Sequence, residues 1–118
     1  MNNFELRHQN DYVIASINLD KATFQEAIEF KSLIDDELDK GYHNIVISLN
    51  ECDFLDSAFI GVLVVIWRKV KVKGGSLKLV KPGNFNHSVL HLTGAIEIFE
   101  KYDSVLEALA SSTSPVGK

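Results

Sequence analysis

Residues 50–63, NECDFLDSAFIGVL, join a short apolar segment to a long one, and this junction decides how the chain folds. The preceding residues 44–49 are almost continuously apolar, which predicts a buried strand in a sheet covered on both faces. The apolar run from Ala58 to Trp67 continues through a basic segment to a pair of glycines, and this length favours a helix over a strand. The pair Asp56-Ser57 is therefore predicted in a strand-to-helix loop, with a hydroxyl at the N-terminus of the helix.

Ser57 has two interpretations at this position. An unmodified serine at a helix start makes one local hydrogen bond and caps the helix, a contribution of about 1 kcal/mol. Alternatively, the hydroxyl carries a phosphate, which would add roughly −1.5 to −2 charges where free N–H groups and the helix dipole already favour anions. The neighbouring Asp56 would repel such a phosphate and can itself serve as the cap. Spacing alone favours a cap over a phosphate.

The rest of the chain alternates strands and helices around this junction. In order, the patterns predict strands at 4–8 and 12–17, a helix from a capping box at Thr23–Glu26 to Gly41, a strand at 44–49, a helix at 58–73, a strand at 76–80, a short helix at 84–92, a strand at 96–99 and a helix at 104–110. This order predicts one α/β domain over residues 1–110: a mixed, mostly parallel β-sheet with an N-terminal edge hairpin and about four helices packed against it. Residues 111–118 are predicted to form a flexible C-terminal tail.

Composition restricts the class of protein. The 118 residues are 46% hydrophobic and 24% charged, which is globular composition. The longest apolar run, Ala58 to Trp67, is far short of the roughly 20 residues that cross a bilayer, and the N-terminus has no signal-peptide pattern. A single cysteine, Cys52, cannot form an internal disulfide, which is typical of a reducing compartment. We expect a cytoplasmic protein without membrane insertion.

Charge is divided unevenly along the chain. Residues 1–56 hold four Lys/Arg against twelve Asp/Glu, a net charge of −8, whereas residues 57–118 hold eight against four, a net charge of +4. The basic cluster at residues 68–73 is interpreted as a solvated helix end whose cations oppose the helix dipole. Because the pI is near 5.5 and no aromatic residues interleave with these cations, we expect no direct binding of nucleic acid.

Residues 54–63, FLDSAFIGVL, after a hydrophobic strand, resemble the signature of the STAS domain, whose usual form is Asp-Ser-[Ser/Ala/Thr]-Gly-[Leu/Ile]-Gly. The resemblance extends over about residues 4–110, since the element order matches and Leu19-Asp20-x-Ala22 resembles the family's entry to its first helix. It implies an anti-sigma factor antagonist in which Ser57 is phosphorylated by an anti-sigma factor that is also a serine kinase. The unphosphorylated domain would bind that factor and free the sigma factor, and the phosphorylated domain would not.

The sequence departs from the family pattern at three positions. Phe59 replaces the usual glycine two residues after Ser57, Ser48 stands where many relatives have aspartate, and Asn18 stands where glycine is common. If the Phe59 ring points outward it is an apolar anchor for a partner, and if it points inward it is part of the core. Either orientation can change how a kinase reaches Ser57.

The resemblance assigns a regulatory binding role rather than catalysis. Phosphorylation is predicted at Ser57, and the predicted partner-binding residues are Asp20, Asp56, Ser57, Ala58, Phe59, Ile60 and Val62. The alternative is a constitutive STAS adaptor or structural subunit of a signalling or transport complex, without a phosphoswitch. No acid, base and nucleophile combine into a catalytic constellation, and no cofactor or metal site is expected, since His87 and His91 lack further ligands. The sequence leaves a homodimer open.

Overall fold

The computed structural model describes residues 3–81 and 98–111. Its strands are β1 (Phe4–Gln9), β2 (Tyr12–Ile17), β3 (Lys21–Ala22), β4 (Asn44–Ser48), β5 (Phe54–Leu55), β6 (Ser76–Val80) and β7 (Glu100–Tyr102). Its helices are α1 (Phe24–Asp39), α2 (Ser57–Val72) and α3 (Val105–Ala110). The predicted tail beyond residue 111 and the predicted helix at 84–92 lie outside the described residues.

Five strands form one mixed sheet in the order β1-β2-β4-β6-β7. The hairpin of β1 and β2 is antiparallel and lies at one edge, while the β2–β4, β4–β6 and β6–β7 pairings are parallel. The hairpin turns at Asn10, whose φ of 57° is tolerated best by asparagine, aspartate and glycine. The predicted single α/β domain with an N-terminal edge hairpin is therefore confirmed, with three helices in the described residues against about four predicted.

Alternate side chains of β4 enter two separate cores. Ile45 and Ile47 pack in the larger cluster with α1 and α2, whereas Val46 packs in a smaller cluster with Ala108 of α3. Successive side chains of a strand point to opposite faces, so an uninterrupted apolar strand is what a sheet covered on both sides requires. The sheet thus separates α1 and α2 from α3.

Local signals in the sequence define α1 well. Thr23 caps it with the predicted capping box, in which the Glu26 carboxylate accepts a hydrogen bond from the Thr23 backbone N–H at 2.9 Å. Gly41 follows the helix with a φ of 101°, the left-handed conformation expected of a residue after a helix C-terminus. Both predictions are confirmed.

The last strand of the described residues begins after the predicted one. The sequence predicts a strand at 96–99, of which residues 96 and 97 lie outside the described residues, and residues 98 and 99 are not in a strand. β7 begins at Glu100 and pairs with β6 from Lys78 onward. Phe99 is buried in the larger core just before the strand begins. Of the apolar residues in that segment, Phe99 thus contributes a side chain to the core, and the strand that follows it is polar and lies at the sheet edge.

Candidate functional site

Asp56, rather than Ser57, caps α2. The Asp56 Oδ1 atom accepts a hydrogen bond from the backbone N–H of Phe59 at 2.9 Å, which satisfies one of the unpaired donors of the first turn. Ser57 is the first residue inside the helix. The interpretation of Ser57 as an ordinary helix cap is therefore wrong.

The same carboxylate also holds the start of α1. Asp56 Oδ2 accepts a hydrogen bond from the backbone N–H of Phe24, the first residue of that helix, at 2.9 Å. The backbone N–H of Asp56 in turn donates to the Ala22 carbonyl at 3.0 Å. One side chain thus joins the N-termini of two helices, and both helix dipoles stabilise its negative charge.

Ser57 is exposed beside this junction. Its side chain makes no hydrogen bond to any residue in the described ranges. Because Asp56 satisfies the first turn of α2, the Ser57 hydroxyl is left free for another reaction or contact. This is the accessibility that a modified serine needs.

The residues after Ser57 separate into an outer and an inner face. Ala58 is exposed and Val62 is half-buried, whereas Phe59 and Ile60 are buried. The Phe59 ring packs against Phe30 with centroids 5.2 Å apart, as part of the stripe that α2 presents to the sheet. Phe59 therefore points inward and replaces glycine as a core residue. Phe59 and Ile60 therefore lie beneath the surface that Ser57 and Ala58 form.

A small parallel sheet brings Asp20 to the same end of the molecule. β3 pairs with β5, so that Lys21 lies opposite Phe54, and the Asp20 carbonyl accepts hydrogen bonds from the backbone N–H groups of Asp53 and Phe54 at 2.9 and 3.1 Å. Asp20 itself is exposed. The loop before α1 and the loop before α2 therefore form one continuous surface around Ser57.

Two large apolar side chains near this surface were missed by sequence reasoning. Phe24 is 65% exposed and Ile28 is 79% exposed, although both belong to α1. Their four-residue spacing places them on one side of the helix, away from the buried stripe of Ala27, Phe30 and Ile34. In the sequence, these two residues could have been recognised as a second apolar stripe on an amphipathic helix.

Other candidate groups have structural explanations or lie elsewhere. The buried Cys52 thiol donates a hydrogen bond to the Phe54 carbonyl, and burial raises the pKa of the thiol, as expected of an apolar filler. No three His, Cys, Asp or Glu side chains within residues 3–81 and 98–111 are grouped to hold a metal, and His87 and His91 lie outside these ranges. Among the helices of the described residues, none is long and apolar enough to span a bilayer.

Comparison with known proteins identifies the family to which this chain is similar. A model of the STAS domain family matches residues 3–108. A protein of Thermotoga neapolitana, provisionally named an anti-sigma factor antagonist, is 35% identical over 107 residues, which cover 90% of this chain and 94% of that protein. The crystal structure of a similarly named protein from Thermotoga maritima has a TM-score of 0.78 at 33% identity and covers 91% of this chain and 92% of that one.

A structure with lower sequence identity to this chain is that of a phosphorylated protein. SpoIIAA, a Bacillus cell fate determinant solved in its phosphorylated form, has a TM-score of 0.69 at 16% identity and covers 91% of this chain and 96% of that one. At this level of identity the similarity shows a shared fold alone.

Proposed function

Because the chain belongs to the STAS domain family, we propose that it is an anti-sigma factor antagonist of the bacterial cytoplasm. It binds an anti-sigma factor that is also a serine kinase, and phosphorylation of Ser57 ends this binding. The observation that carries the proposal is the Ser57 hydroxyl, which is exposed and makes no hydrogen bond to the described residues, at the N-terminus of α2.

The reaction needs an accessible hydroxyl and a partner that brings ATP to it. The Ser57 oxygen attacks the γ-phosphorus, ADP leaves, and the hydroxyl proton passes to a base of the kinase. Asp56 is not this base in our proposal, because both of its carboxylate oxygens accept hydrogen bonds from backbone N–H groups.

Loss of binding after phosphorylation follows from charge and volume. The product carries roughly −1.5 to −2 charges at Ser57, opposite a partner surface that must hold the phosphates of the nucleotide. The carboxylates of Asp20, Asp53 and Asp56 already make this end of the molecule acidic. The phosphate therefore repels the nucleotide-bearing partner, and its bulk separates the two surfaces.

The contact residues we propose are those that the fold exposes around the serine. They are Asp20, Asp56, Ser57, Ala58 and the half-buried Val62, while Phe59 and Ile60 support them from below. Asp56 contributes chiefly by fixing the positions of Ser57 and of the first turn of α1.

Incubation with ATP and with an anti-sigma factor serine kinase from the same organism tests the proposal. Mass spectrometry should find one phosphate, on Ser57, and none on Ser57→Ala. Titration calorimetry should then show weaker binding by Ser57→Asp than by wild type, whereas Ser57→Ala should still bind. A Ser57→Asp variant that binds as tightly as wild type would remove the electrostatic mechanism.

The same variants separate this proposal from a constitutive adaptor. An adaptor would hold a fixed partner irrespective of ATP and of the residue at position 57. Because Asp56 is the cap, Ser57→Ala should leave the free energy of unfolding within about 0.5 kcal/mol of wild type. Any loss of switching in Ser57→Ala would therefore not come from instability.

A further inference from the structure

Helices α1 and α2 run parallel and are joined at two levels. At their N-termini the Asp56 carboxylate accepts the hydrogen bond from the Phe24 N–H, and towards their C-termini Lys69 Nζ contacts Asp35 Oδ1 at 2.7 Å. Lys31 contacts the other Asp35 oxygen at 2.9 Å. Phe24 and Asp35 are 11 residues apart, or about 17 Å along a helix. The two contacts therefore bound a surface strip about three helical turns long.

The residues that line this strip follow from helical periodicity. Residues seven apart lie on the same side of a helix, so Ile28 shares the side of Asp35, and Val62 shares the side of Lys69. One turn earlier on each helix lie Phe24 and Ala58. We call these four residues, Phe24, Ile28, Ala58 and Val62, the α1–α2 seam.

Two large apolar side chains of the seam are exposed and are not part of the core, whereas Val62 is half-buried against it. Phe24 and Ile28 are 65% and 79% exposed, and neither belongs to the core clusters of the described residues. Grouped exposed side chains of this size mark interaction surfaces more often than scattered ones do. The seam also begins at Phe24, whose backbone is held by the residue next to Ser57.

Charged residues flank the seam with opposite signs. Exposed Glu29 and Asp36 lie beside it on α1, and exposed Arg68 lies beside it on α2. Lys31, seven residues after Phe24, lies in line with the seam, but its charge is paired with Asp35. A partner segment in the seam would thus meet acidic side chains along one side and a basic side chain along the other. This pattern fits an amphipathic helix that carries Lys or Arg along the side facing α1.

We infer that the α1–α2 seam is the docking surface for an amphipathic helix of the partner, with apolar residues at a spacing of three to four that contact Phe24 and Ile28. The inference rests on the proposed function, since the partner helix belongs to the anti-sigma factor that phosphorylates Ser57. The seam supplies affinity that is independent of phosphate, and Ser57 at its end supplies the switch.

Alanine variants with a matched control test this assignment. Binding of Phe24→Ala and Ile28→Ala to the same anti-sigma factor serine kinase is measured by titration calorimetry, and each variant should bind at least about tenfold more weakly than wild type. Leu106→Ala is the control, because Leu106 is 75% exposed on α3, across the sheet from the seam. Alanine is the best helix former, so Ile28→Ala should remain folded, and circular dichroism checks this.

A charge variant tests the orientation of the partner helix. Glu29→Lys should weaken binding about threefold to tenfold, with a smaller loss at high salt, because it places a cation opposite the basic side of that helix. Unchanged or tighter binding by Glu29→Lys would overturn the assigned polarity.

The outcomes separate the seam from the proposed function. If Ser57 is phosphorylated and Ser57→Asp loses binding, but Phe24→Ala and Ile28→Ala bind as wild type does, the seam is refuted and the function stands. An equal loss of kinase binding by the control Leu106→Ala would also refute the seam as the docking surface. If analytical ultracentrifugation shows that wild type dimerises and Ile28→Ala does not, the occupant is a second copy of this chain and our inference is wrong. If wild type neither binds the kinase nor accepts phosphate, both proposals fail.

Discussion

Replacement of Asp56 by alanine should destabilise the domain through two helices at once. The substitution removes the hydrogen bonds that Oδ1 accepts from the Phe59 N–H and that Oδ2 accepts from the Phe24 N–H, each 2.9 Å long. Loss of one N-cap costs about 1 kcal/mol. The Phe24 bond is exposed, so water can replace it in part, and it should contribute less than the Phe59 bond. We expect Asp56→Ala to lower the free energy of unfolding by about 1.5–2 kcal/mol.

Urea unfolding followed by far-ultraviolet circular dichroism measures this loss, and hydrogen exchange of the Phe24 amide reports the second bond directly. Asp56→Asn should have an intermediate effect, since its amide carries one acceptor oxygen and can still cap α2. Asp53→Ala is the control, because the Asp53 side chain is exposed and makes no hydrogen bond or ion pair with the described residues. The reasoning is refuted if Asp56→Ala stays within about 0.5 kcal/mol of wild type, or if Phe24 exchange is unchanged.

Three further predictions concern residues away from Ser57. Burial raises the pKa of Glu37, but hydrogen bonds from His8 at 2.6 Å and Lys40 at 3.2 Å outweigh it and hold the pKa below its usual range. A carboxyl with a lowered folded-state pKa stabilises the fold above its unfolded pKa of about 4.3 and loses this contribution as the pH falls through the folded value. Between about pH 5 and pH 3, wild type should therefore lose more unfolding free energy than Glu37→Gln does. An equal loss in the two proteins, measured by urea unfolding at each pH, would contradict this. Gly61→Ala should raise the unfolding free energy by about 0.5–1 kcal/mol, because the new Cβ meets no atom within 4 Å; a lower urea midpoint would show otherwise. The Cys52 thiol should react with a disulfide reagent only as fast as the domain opens, because it is buried and its pKa is raised; complete modification of the native protein within seconds would argue against this burial.

Features set by neighbouring residues were predictable from the sequence. The capping box at Thr23–Glu26, the glycine at position 41 and the buried strand near residues 44–49 depend on contacts within a few residues or on an uninterrupted apolar pattern. The edge hairpin belongs to the same class, since its two strands are adjacent in sequence.

Features set by distant contacts were not predictable in the same way. β3 and β5 have two residues each and exist because they pair across more than thirty positions of sequence. The orientation of Phe59 depends on the space beside Phe4 and Phe30, which the motif alone does not describe. The exposure of Ile28 could be suspected only by comparing two apolar stripes on the same helix.

The division of roles between Asp56 and Ser57 shows why the motif has two polar residues in succession. Either side chain alone could cap α2, and local sequence does not choose between them. The choice depends on Phe24, 32 positions away, because only a carboxylate at position 56 has a second oxygen for the start of α1. With the cap assigned to Asp56, the adjacent hydroxyl makes no contribution to the helix that a phosphate would remove. In the function that we propose, phosphorylation of Ser57 therefore changes the surface that a partner meets while the domain stays folded, and it acts on binding rather than on stability.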